Sequence, residues 1–130
     1  MAMSKEEDRR CAQIAELFSP FLEEIGDWCV VRSKKFGYIV LCYYMNGRFE
    51  DNNVFDNAKD MFDFLLDQWQ FRWLYAKGKE NGVTEYEDYE RNLTIQQKKE
   101  REKCLVNYKQ AFNDIGVKTI NIFAPISIAP

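Results

Sequence analysis

Apolar residues recur at spacings of three and four over residues 4–25, at Ile14, Leu17, Phe18, Phe21, Leu22 and Ile25. That period predicts a helix with one buried face. Pro20 interrupts the run without breaking its phase and falls opposite the apolar stripe. Two readings follow: one helix kinked at a solvent-facing Pro20, or two helices with Ser19 as N-cap and Pro20 at the first helical position. Gly26-Asp27 ends the element. The pattern then changes period. "WCVVR" (28–32) is a short β-rich run, and "SKKFG" reads as a turn. "YIVLCYYM" (38–45) is a continuous apolar run, the pattern of a central strand covered on both faces. Asn46-Gly47 is a hairpin signal, and the polar "RFEDNNV" (48–54) reads as an edge strand.

Residues 55–78, "FDNAKDMFDFLLDQWQFRWLYAKG", hold seven rings: Phe55, Phe62, Phe64, Trp69, Phe71, Trp73 and Tyr75. Asp56 or Asn57 can cap a helix here, and Gly78 is its expected end. On a helical wheel, Ala58, Met61, Phe62, Leu65, Leu66, Trp69, Trp73 and Ala76 form one stripe, the expected core face. Phe64, Phe71 and Tyr75 fall on a second stripe beside Gln68. This helix is therefore expected to be covered on two sides. The second cover is the C-terminal helix, through Leu105, Tyr108 and Phe112, or another protein chain. Further on, Thr84-Glu85-Tyr86-Glu87 and Thr94-Ile95-Gln96-Gln97 both match a capping box. The second box would open a last helix running to Ile115 and stopped by Gly116. Its first two turns are polar and are expected to bury little. "VKTINIF" (117–123) alternates as a final strand would, and residues 124–130 read as a loose tail.

The expected fold class is α+β: a small antiparallel sheet of three to four strands, packed by an N-terminal helix, a central aromatic-rich helix and a C-terminal helix. A chain of 130 residues fits a single domain with its own core. Residues 1–3 read as a cloning remnant or disordered. The order α-β-β-β-α over 4–76 resembles that of the double-stranded RNA-binding domain. That fold presents lysines to phosphates at the start of its second helix. This chain has Asp56, Lys59, Asp60 and Asp63 there, so the likeness extends to element order only.

Composition narrows the chemistry. The chain has no histidine, which removes Ser-His and Cys-His nucleophile pairs. Cys11, Cys29, Cys42 and Cys104 form no C-x-x-C pair, so zinc and dithiol redox chemistry lose their usual signature. Spaced thiols and a charged N-terminus, "MAMSKEEDRR", suggest a reduced, cytoplasmic protein with no membrane span. Glu50, Asp51, Asn52, Asn53 and Asp56 could offer oxygen ligands to a hard cation, but their spacing does not match an EF-hand loop, and a solvated turn with a helix cap explains them better. Asp60, Asp63 and Asp67 share one helical face, and solvent accounts for them better than catalysis does. No cofactor is expected.

The formal net charge of −3 argues against general affinity for nucleic-acid backbones. Arg91, Lys98, Lys99, Arg101 and Lys103 are the residues that could still track phosphates. Three functions remain. A non-catalytic protein–protein interaction module, such as a small inhibitor, immunity-type or accessory protein, is the leading one, with Phe64, Gln68, Phe71 and Tyr75 as its surface. Its partner would be another protein, with a homodimer as a further option. A nucleic-acid-associated protein using residues 91–103 is the alternative, and an enzyme with a carboxylate-only site is a third.

Overall fold

The computed structural model describes residues 3–43 and 48–123, with side chains at 3–43, 48 and 51–115. Three helices and a three-stranded antiparallel sheet give an α+β fold. The order is α1 (Lys5–Ile25), β1 (Trp28–Ser33), β2 (Gly37–Tyr43), β3 (Phe49–Phe55), α2 (Ala58–Glu80), a single 3-10 turn at Tyr86–Asp88, and α3 (Ile95–Phe123). The Asn46-Gly47 signal and residues 124–130 lie outside the described residues.

The first helix is continuous through Pro20, which is exposed. A proline on the outer face loses one backbone bond but leaves the apolar stripe intact. Ser4 caps α1 by accepting the Glu7 N–H at 3.1 Å. Gly26 ends it at φ 74°, a left-handed conformation that glycine adopts without a Cβ penalty. The stripe buries Cys11, Ile14, Phe18 and Leu22.

The strands form a meander in the order β1-β2-β3. Trp28, Val30 and Arg32 pair with Cys42, Val40 and Tyr38. These residues, with Phe55 and Asn53 of β3, face the helices. Tyr38, Val40 and Cys42 are buried. Their neighbours Ile39 and Leu41 are only half-buried, and the residues beside them, Cys29, Val31 and Val54, are exposed. The expectation that β2 is covered on both faces is thus corrected. Both α1 and α2 pack on one side, and in an antiparallel sheet the other side can meet water. β3 is the polar edge strand that its sequence predicts.

The core joins α1 and the inner sheet face to Ala58, Met61, Phe62, Leu65 and Leu66 of α2. α3 closes the far side. Tyr108 stacks on Phe18 with centroids 4.7 Å apart, and Phe112 stacks on Phe62 at 4.5 Å. Ile115 is buried in the same cluster. Met3 also packs against this core.

Three boundaries differ from expectation. Residues 117–123 continue α3 and form no strand. A glycine inside a helix costs only about 1 kcal/mol, which a long, already nucleated helix absorbs at Gly116. α2 runs past Gly78 to Glu80, with Asn81 as its C-cap. The Thr84 box does not form: the residue capping the 3-10 turn is Glu85, without a side-chain bond. The Thr94 box does form. Thr94 Oγ1 accepts the Gln97 N–H at 3.0 Å, and Gln97 Oε1 accepts the Thr94 N–H at 2.9 Å. Gln97 and Asn81 also exchange side-chain amide bonds at 2.9 and 3.0 Å. The start of α3 is therefore tied to the end of α2, although Ile95 beside it is exposed.

Candidate functional site

The rings of α2 divide among four surroundings. Phe64 turns to the sheet, where it meets Trp28 at 5.8 Å and Phe55 at 5.4 Å. Phe62 and Trp69 turn to α1 and α3, with Trp69 edge-on to Tyr108 at 5.5 Å. Trp73 carries the Lys77 ammonium 5.9 Å and the Arg101 guanidinium 5.7 Å from its ring centroid. A cation near an aromatic ring covers apolar surface while keeping its own charge hydrated.

Phe71 and Tyr75 remain, four residues apart on the outer face of α2. Their rings stack at 6.3 Å. The segment after α2 folds back and adds two further rings. Tyr86 lies 5.6 Å from Phe71, Tyr89 lies 5.9 Å from Tyr75, and the two tyrosines meet at 5.3 Å. Tyr89 is buried, whereas Phe71, Tyr75 and Tyr86 keep 47%, 41% and 45% of their surface exposed. The result is a platform with one ring inside and three outside. Lys79 sits 4.7 Å over the Tyr75 ring at its rim.

Two features hold this platform in place. Gly78 faces the Tyr89 ring, and a Cβ there would collide with Cγ, Cδ1 and Cδ2. The missing side chain is the space in which Tyr89 sits. Arg101 of α3 grips Glu90, beside Tyr89, with bonds of 2.5 and 2.8 Å. That pair holds the Glu90 carboxyl below its ordinary range. The hydrogen bond from Arg101 is the main cause.

Of the four surface residues named from the sequence, Phe71 and Tyr75 fall together and outside. Phe64 belongs to the sheet contact, and Gln68 is half-buried on the same helix. The C-terminal helix covers the first stripe through Tyr108 and Phe112 rather than the second. Sequence reasoning places Tyr86 only in the Thr84 capping box and assigns Tyr89 no role. Their signal was two tyrosines three apart in a loop, "EYEDYE", with nothing local to say which helix they meet.

The basic set is dispersed. Arg101 is bound to Glu90, and Arg91 is bound to Asp88 at 2.8 Å. Lys98, Lys99 and Lys103 are exposed along α3. The carboxylates Asp60, Asp63 and Asp67 lie along one exposed side of α2, with Lys59 on Asp63 at 2.5 Å. None of the four cysteines is in a disulfide. Burial pushes the Cys11 thiol up to about 12, with nearby carboxylates adding to it. Among the described residues no three acidic, histidine or cysteine side chains gather as a metal site, and no helix is long and apolar enough to cross a membrane.

No protein-family model, curated protein or solved structure matches this chain.

Proposed function

We propose that this chain is a non-catalytic protein–protein interaction module, a small cytoplasmic inhibitor, immunity-type or accessory protein, that docks through Phe71, Tyr75 and Tyr86. One observation carries the reading: three contiguous rings, each more than two-fifths exposed, rest on a fourth that is buried. Large contiguous apolar patches on soluble monomers mark interaction sites more often than chance. Tyrosine is favoured there because it offers a large contact area for little conformational entropy. Here the ring stacking holds the side chains before any partner arrives, so less ordering is needed on binding. The tests for a nucleic-acid role start from a weaker position, because Arg91 and Arg101 are already engaged by Asp88 and Glu90.

The experiment is site-specific photo-crosslinking in the native host. A benzophenone side chain is placed at Phe71, at Tyr86, or at Lys59 on the polar side of α2. The expected outcome is one shared crosslinked chain from positions 71 and 86 and none from position 59. Equal crosslinking from all three positions, or none from 71 and 86, would reject the assignment.

A further inference from the structure

A second surface lies away from the aromatic platform and concerns a different partner contact. It begins with the two edges of the sheet. β3 reads "FEDNNVF", and charged or amide side chains of this kind keep a strand edge from pairing with other chains. β1 reads "WCVVRS". It has no proline, no lysine and no bulge, and its single charge, Arg32, is at the far end on Asp8 of α1, at 2.7 and 2.9 Å.

The backbone of β1 is available for pairing. Tyr43 N–H donates to the Asp27 carbonyl at 2.8 Å. In an antiparallel ladder this makes the pairs at 27, 29, 31 and 33 the hydrogen-bonded ones. The N–H and C=O groups of Trp28, Val30 and Arg32 then point away from β2 towards the open edge. Among the described residues they have no backbone partner.

Beside that edge runs an open groove of about 630 Å³ between α1 and β1. Its helix wall is made by Ala15, Ser19 and Leu22, and its strand wall by Trp28 and Val30, with Gly26 at one end. The small residues leave the room. Trp28 also carries a buried indole N–H without an acceptor. Glu16 and Glu23 are the charged side chains on the lining, both exposed and, among the described residues, neither in an ion pair. Glu23 also stands near the negative end of the helix dipole, where α1 has no basic residue in its last turn. A cation brought from outside would relieve that arrangement.

We propose that the α1–β1 groove takes an extended, basic segment of another protein, which adds as a fourth strand on β1. Main-chain bonds to Trp28, Val30 and Arg32 supply affinity, and alternate side chains enter the groove. Glu16 and Glu23 are two helical turns apart, about 10 Å. Basic residues two or four positions apart on one strand face reach both. A second copy of this chain is a poor occupant, because pairing β1 with β1 would bring two sets of these glutamates together.

The test is selection from a display library of random dodecapeptides on the wild-type chain, compared with Glu16→Lys/Glu23→Lys. Both sites are exposed, so the variant is expected to melt like the wild type; Glu16→Gln/Glu23→Gln serves if it does not. The expected result is enrichment of proline-poor peptides with alternating Lys or Arg. They should bind the wild type at least about tenfold more tightly than the variant, with weaker binding at high salt. They should also slow amide exchange at Trp28, Val30 and Arg32. The proposal fails if nothing is enriched, if the peptides lack basic residues, if the variant binds equally, or if protection appears elsewhere. It also fails if the chain protects those amides by concentration-dependent pairing with itself. None of these outcomes depends on Phe71, so the aromatic platform stands or falls separately.

Discussion

Replacing Gly78 by alanine should destabilise this protein, the reverse of what the substitution does in most helices. In an ordinary helix interior the change gains about 1 kcal/mol, because alanine loses less backbone freedom on folding. Here the new methyl would occupy the place of the Tyr89 ring. Tyr89 is 4% exposed and packed on Tyr75 and Tyr86, so it cannot turn aside without losing that burial. Overpacking of this kind costs about 1–3 kcal/mol, and forcing the ring into water costs a similar amount. Overlap with three atoms of the ring puts the cost in the upper part of that range, about 2–3 kcal/mol, so the net loss after the propensity gain is about 1–2 kcal/mol. With about 2.1 cal/mol/K of unfolding entropy per residue, a chain of this size should melt roughly 4–8 °C lower. Urea unfolding would measure the loss, and near-ultraviolet circular dichroism would report the disturbed tyrosines. In a Tyr89→Ala background the same Gly78→Ala change should become stabilising, by about 1 kcal/mol, because only the propensity term survives. A wild-type background in which Gly78→Ala raises the melting point would refute the packing argument. So would a double-mutant cycle that is additive within about 0.5 kcal/mol.

Thr94→Ala should cost about 1 kcal/mol by removing the acceptor for the Gln97 N–H; amide exchange should quicken in the first turn of α3, and unchanged exchange there would contradict the role of the cap. Asp8 should matter at neutral pH and not in strong acid. The Arg32 hydrogen bond is the main cause that lowers its carboxyl below the ordinary 3.8, so its contribution is complete above that value and is lost as pH falls through the lowered folded one. The stability gap between wild type and Asp8→Asn should therefore narrow as pH falls below 3.8 and close in strong acid, and a gap constant with pH would show that the pair is not its source. Iodoacetamide should modify the exposed Cys29 first and the half-buried Cys104 later, while Cys11 and Cys42 should wait for unfolding; early labelling of Cys11 would contradict its raised thiol pKa.

Periodicity makes α1 and the body of α2 legible, because each buries one side of a regular element. Pro20 could be placed on the outside for the same reason. The strands are legible from their β-rich and apolar runs, although the continuous run of β2 points to cover on both faces where only one is covered. The errors arose where long-range contacts decide. "VKTINIF" alternates like a strand, yet it follows a helix already formed and anchored through Ile115. Gly78 looked like a stop signal, but its purpose becomes visible only once Tyr89 is seen against it. A second aromatic stripe, Phe64, Phe71 and Tyr75, is legible on a helical wheel. A helical wheel could not show that Phe64 meets Trp28 and Phe55 while Phe71 and Tyr75 meet the loop tyrosines. The groove beside β1 had no signature in the helix pattern, since it arises from small residues of α1 brought against an edge strand.

The most direct test of the interaction reading is quantitative capture from the native host by wild type and by Phe71→Ser/Tyr75→Ser. Both side chains are more than two-fifths exposed, so the variant should keep its fold, with a melting temperature within a few degrees of the wild type. The account predicts a stoichiometric protein retained by the wild type and reduced at least about tenfold with the variant, the loss expected when central aromatic anchors are removed. Equal capture by both chains, or no stoichiometric protein with either, would contradict it.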